Sequence, residues 1–200
     1  MKTVLKEGYE RIIRIFYSNK NIKMHLREIA RKAKMNENSA FRFLKQLENE
    51  KILIPRKDGN LKKYEIVKND ITYYMLTYFD ITKLNSLPSI RRNAIAYFMQ
   101  GLDEKPIFAV LFGSTAKNTF SEDSDIDLLL IVNKRINTEK AEDYADSLTA
   151  IKIKCLQIKF NEFEKELKLK EDKVVQSALN TGYPITNHIE YYRMIYNEGI

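Results

Sequence analysis

Cysteine is almost absent, with Cys155 the single instance in 200 residues. That excludes an internal disulfide and a cysteine-built metal cage, and it fits a reducing cytoplasm. Long apolar runs are missing as well. The longest, 71–79, falls far short of the roughly 20 residues that a membrane-spanning helix needs. The opening residues hold no apolar stretch of signal-peptide length. A cytoplasmic chain with no membrane partner is therefore expected. Histidine is scarce: His25 and His188 lie far apart, without ligand partners at metal-binding spacing. A hydrophobic content of 44% against 30% charged residues excludes a disordered chain. The length suits one domain or two small ones.

The charge is unevenly spread. The net charge is +7, yet residues 1–69 alone carry 18 basic and 8 acidic side chains. The remainder is slightly acidic. Such asymmetry points to a nucleic-acid-binding front module joined to something else.

The front segment reads as helix, helix, turn, helix, hairpin. Leu5, Tyr9, Ile12, Ile13 and Phe16 form a helical stripe, and the polar break 18–21 follows. Leu26, Ile29 and Ala30 mark a short second helix over 25–33. Asn36 is a good N-cap for a third helix over 37–49, with Phe41, Leu44 and Leu47 expected inward. The period then changes to two around Ile52, Ile54, Leu61, Tyr64 and Ile66, with Asp58-Gly59 as a hairpin signal.

This order resembles the winged helix-turn-helix family over about residues 5–68. The resemblance implies that the third helix enters the DNA major groove and presents Asn38, Ser39, Arg42, Lys45 and Gln46. It also implies that Lys57, Lys62 and Lys63 on the hairpin meet phosphates, which position without specifying. The expected partner is double-stranded DNA, bound by a homodimer. The alternative is a module for protein contacts. An aromatic-rich helix and linker over 70–88 follows, and Pro88 marks the boundary to a second domain over 89–200.

The chemistry-bearing stretch is 107–132. Residues 107–112 form a continuous apolar run, which reads as a buried strand ended by Gly113-Ser114. A second strand over 125–132 carries Asp125 and Asp127, and residues two apart in a strand share a face. Two neighbouring carboxylates invite a hard divalent cation. A Gly-Ser turn exposes backbone N–H groups and a hydroxyl that can hold phosphates.

Strand, Gly-Ser, ten residues, then Asp-x-Asp resembles the nucleotidyltransferases of the DNA polymerase β superfamily. The likeness is to their minimal type, which includes antitoxin-like proteins and relatives of kanamycin nucleotidyltransferase. It implies an α/β (α+β) domain with a mixed sheet flanked by helices, placed after the winged helix. It further implies that Gly113 and Ser114 bind a nucleoside triphosphate, with ATP expected, and that Asp125 and Asp127 are catalytic and hold Mg²⁺. Active members of that superfamily usually carry a third carboxylate on a later strand. The matching strand here, 151–160, contains no acid, and Gln157 falls near the expected place. Asn161 reads as a helix N-cap with Glu164 as its partner.

Three functions remain open at this point. The chain is an Mg²⁺-dependent enzyme that moves a nucleoside monophosphate to an acceptor hydroxyl of a protein or small molecule. Or it is a transcriptional regulator whose second domain senses nucleotide with impaired catalysis. Or it is an antitoxin-like partner of a toxin.

Overall fold

A computed structural model of the chain describes residues 6–19 and 21–198. The expected helical residue Leu5 and Lys20 of the polar break lie outside these. The chain divides into two compact units, one up to Phe79 and one from Asp80. Together they form a mixed α/β protein with two sheets.

In the first unit, α1 (Glu7–Ser18) buries Ile12, Ile13 and Phe16 on one stripe, as its periodicity predicts. Glu10 pairs with Arg14 at 2.6 Å one turn along its outer side. The second helix starts later than expected. Met24 and His25 form a short strand, β1 (Met24–His25), before α2 (Leu26–Lys32). His25 caps α2, and its backbone N–H donates to Glu28 Oε2 at 3.0 Å. Asn36 caps α3 (Glu37–Asn49), accepting from the Ser39 N–H at 2.8 Å. The inward stripe of α3 is Ala40, Leu44 and Leu47. Phe41 is 52% exposed, which corrects the expectation that it faces the core. Residues 40, 44 and 47 already satisfy the helical spacing, and residue 41 lies a further 100° around the helix.

Strands β2 (Leu53–Asp58) and β3 (Leu61–Ile66) form an antiparallel hairpin, with β1 added on the far side of β3. The turn is tighter than the sequence suggests. Gly59 and Asn60 alone separate the strands, and Gly59 takes φ +60, which a glycine adopts without strain. The front end of α4 (Asp70–Asn85) packs on α1, where Phe79 sits 5.2 Å from the Tyr17 ring and beneath Arg14.

The second unit is built on a four-stranded mixed sheet in the order β6-β5-β4-β7. β4 (Phe108–Phe112) and β5 (Ile126–Val132) are antiparallel and buried almost throughout. β5 runs parallel to β6 (Ile153–Lys159), and β7 (Tyr183–Pro184) closes the other edge. Helices α5 (Ser89–Gly101) and α7 (Glu139–Thr149) pack together, and their apolar residues share a core with Leu111, Leu128 and Leu130. The buried side of α7 is Ala141, Ala145 and Thr149. Tyr144 and Leu148 are exposed.

Three more helices complete this unit: α8 (Phe160–Leu169), α9 (Lys173–Thr181) and α10 (His188–Glu198). α8 begins before the expected cap, and Glu162 rather than Glu164 is the capping carboxylate, accepting from the Lys159 N–H at 3.3 Å. No helix among the described residues is long and apolar enough to cross a membrane.

Candidate functional site

Strand β4 ends at Phe112, whose register partner on β5 is Asp127. The chain then turns into a single-turn helix, α6 (Gly113–Lys117). Gly113 begins that turn at φ +70, a conformation that any side chain would strain. A Cβ built on Gly113 would lie 2.0 Å from Asp127 Oδ2. Glycine is thus required twice here, for its backbone angle and for the carboxylate pressed against it. At the far end of α6, Asn118 adopts φ 58, ψ 38. Asparagine tolerates this left-handed geometry better than most residues, so the turn forms without a glycine there.

Ser114 is half-exposed. Asp125 lies just before β5 rather than within it, and Asp127 is its second residue. Both carboxylates act on one side chain, Lys154. Lys154 is the register partner of Asp127 on the parallel strand β6, so the two project from the same face. Its Nζ sits 2.7 Å from Asp125 Oδ2. That hydrogen bond raises the Lys154 pKa, and the ammonium stays charged throughout the neutral range. Burial raises the Asp127 pKa, Lys154 opposes the shift and Asp125 adds to it.

Sequence reasoning placed Gln157 near the missing third carboxylate. The structure places it elsewhere. Gln157 pairs with Leu130, three residues along the strand from Lys154 and hence on the other face. Its amide is a clip on a neighbouring loop: Oε1 accepts from the Ile136 N–H at 3.0 Å, and Nε2 donates to the Ile136 carbonyl at 2.9 Å. The side chain level with Asp127 is Lys154. Residue type gives no sign of this, because register between parallel strands is set by the connection between them.

A second missed residue is Arg91 on α5. It is 2% exposed. It donates to Thr115 Oγ1 at 3.0 Å, to the Ser121 carbonyl at 2.9 Å and to the Ser124 carbonyl at 2.8 Å. Its guanidinium lies 4.1 Å from the centroid of the Phe120 ring, a cation–π arrangement. Arg91 therefore ties α6 to the loop that delivers Asp125. A signal for it exists in the sequence. Position 91 continues the apolar stripe of Ala94, Ile95, Phe98 and Leu102, where an arginine must find buried acceptors.

The arrangement offers two carboxylates, a glycine turn pressed against one of them and a lysine paired with the other, with Ser114 next in the turn. Carboxylate oxygens suit a hard cation, and the turn suits phosphate oxygens. Among the described residues no group of three or more His, Cys, Asp or Glu could hold a metal ion. Cys155, beside Lys154, takes no part: burial pushes its thiol up to about 12, far from a reactive thiolate.

In the first unit, Asn38, Arg42 and Lys45 are exposed on α3, and Ser39 is half-buried. Gln46 is committed within the fold: its Oε1 accepts from the Tyr9 hydroxyl, and its Nε2 donates to Glu50 Oε1 at 3.1 Å. On the hairpin, Lys57 and Lys62 face each other directly across the strands, both exposed. Like charges so placed repel. Lys63 is instead held by Asp58 at 2.7 Å.

Residues 92–185 match the family model described as "Polymerase beta, Nucleotidyltransferase". The match spans just under half of the chain, and that stretch is a nucleotidyltransferase-type domain. No curated protein and no solved structure matches the chain.

Proposed function

We propose that the second unit binds a nucleoside triphosphate with Mg²⁺ and that the first unit, read as a winged helix-turn-helix, binds duplex DNA. The observation that carries the nucleotide reading is the apposition of Gly113 and Asp127. A left-handed glycine that leaves no room for a Cβ against a half-buried carboxylate is a costly arrangement in a fold that needs only a turn there. Asp125 and Asp127 would hold Mg²⁺, and the Gly113 turn with Ser114 would hold phosphates. When bound, the ion supplies charge neutralisation at the phosphoryl oxygens. ATP serves as the probe nucleotide. Transfer of the nucleoside monophosphate to an acceptor hydroxyl of a protein or small molecule is the activity this site would support.

A specific observation favours a second reading, a DNA-binding regulator that senses nucleotide without transferring it. Lys154 occupies the place level with Asp127, and its ammonium pairs with Asp125. A charged lysine cannot take a proton from an attacking hydroxyl.

The DNA reading rests on the basic front segment, the exposed polar side chains of α3 and the opposed lysines of the hairpin. The test incubates the full chain with ATP labelled at the α-phosphorus, Mg²⁺ and a cell lysate. Covalent labelling of an acceptor supports the enzyme. Filter-retained label with no covalent product supports the sensor. Absence of both signals would overturn the nucleotide site.

A further inference from the structure

We propose that Phe41 reads the methyl group of a thymine in the bound DNA; this inference rests on the DNA-binding reading of the first unit. Phe41 is 52% exposed at the middle of a well-formed helix whose neighbours Ala40 and Leu44 are fully buried. Its exposure follows from helical phase. The next aromatic along, Phe43, turns the other way and packs edge-to-face on Tyr9 at 4.9 Å. Residues 38, 41, 42 and 45 are spaced i, i+3, i+4 and i+7, so they form one helix face. Phe41 thus stands among Asn38, Arg42 and Lys45, all exposed.

A single ring set among an amide, a guanidinium and an ammonium is a poor protein-docking face. Such a face needs a contiguous apolar area and about 800 Å² per partner. It is a good match for the edge of a duplex. The thymine methyl is the apolar group that the major groove displays, among acceptors and donors that asparagine and arginine can meet. Cation-bearing neighbours favour the same polyanionic occupant.

The experiment uses the full chain. Duplexes are selected from a random pool at low salt, and each thymine of the selected site is then replaced by deoxyuridine, which keeps base pairing and lacks the methyl. One position should lose about fourfold in affinity, the worth of one buried methyl-sized group. Phe41→Ala should abolish the thymine–deoxyuridine difference at that position and leave the salt dependence of binding unchanged. Its melting temperature should fall only slightly, because about half of the ring is already exposed.

Equal binding of thymine and deoxyuridine duplexes at every position would overturn the inference while leaving DNA binding intact. Retained discrimination in Phe41→Ala would do the same. Failure of the native chain to retain any duplex would overturn the DNA reading itself, and this inference with it.

Discussion

Lys154 Nζ lies 2.7 Å from Asp125 Oδ2 and projects from the strand position level with Asp127. One cation already sits on the carboxylate pair that would receive Mg²⁺. It neutralises part of the repulsion between the two acids, and it competes with any ion that replaces it. Lys154→Ala should therefore bind Mg²⁺–ATP a few-fold more tightly in calorimetry. The variant's melting temperature should barely change, because the lysine is largely exposed and such pairs contribute little to stability. Weaker binding by this variant would mean that Lys154 holds phosphate rather than excluding metal.

Gly113→Ala should destabilise the fold by roughly 1–3 kcal/mol through its left-handed backbone alone. The added Cβ would also displace the Asp127 carboxylate. Urea denaturation reads the first effect and loss of Mg²⁺–ATP binding the second. A stable variant with native nucleotide affinity would contradict the role given to this turn.

Asp127 links stability to pH with a definite sign. Burial raises its pKa in the folded state, so the folded protein favours the neutral acid. Below the unfolded value, about 3.9 for an aspartate, neither state is ionised and there is no cost. As pH rises through the folded value, ionisation removes stability. Asp127→Asn should therefore be more stable than the native chain near neutral pH, and the difference should vanish in acid. Thermal melts across pH check this. Greater stability of the native chain at neutral pH would mean that the attraction of Lys154 outweighs burial.

Arg91→Met removes a buried cation from two carbonyls and the Thr115 hydroxyl. The Thr115 hydroxyl is buried and the Ser121 and Ser124 carbonyls only partly so, and a buried acceptor left unpaired costs about 1–3 kcal/mol before relaxation. A loss of about 2–4 kcal/mol in urea denaturation is expected. Nucleotide affinity should fall as well, because the loop carrying Asp125 loses its anchor. An unchanged denaturation midpoint would refute this role.

The two kinds of hairpin lysine should separate in DNA binding. Lys57→Ala or Lys62→Ala should each reduce the slope of log affinity against log salt by about 0.9, the value of one phosphate contact. Lys63→Ala should reduce it less, since Asp58 already holds Lys63. Mobility-shift titrations over a salt series decide this, and equal slopes for all three variants would contradict it.

The parts legible in the sequence were those set by local periodicity and turn chemistry. The buried run of β4, the Gly-Ser turn, the Asp-x-Asp pair and the cap at Asn36 all follow from residue type and spacing. β1 was not legible, because two residues carry no period and pair only through β3. The inward stripe of α3 uses the small Ala40 rather than Phe41, and an alanine at a core position gives a weaker apolar signal than the phenylalanine beside it. Lys154 stands where Gln157 is expected for a longer-range reason: the register of β6 on β5 differs by three residues from the expected one, and any odd shift turns the strand's other face to the site. Arg91 shows in the sequence only as a polar break in an apolar stripe, because the Thr115 hydroxyl and the carbonyls that accept from it are brought together by the folded loop.

Titrating ATP into the full chain and into Asp127→Asn, each with and without Mg²⁺, in a calorimeter decides whether this carboxylate holds the ion. The native chain should bind in an Mg²⁺-dependent manner and the variant should lose that binding. Equal affinity in both, or binding by the native chain that ignores Mg²⁺, would contradict this role.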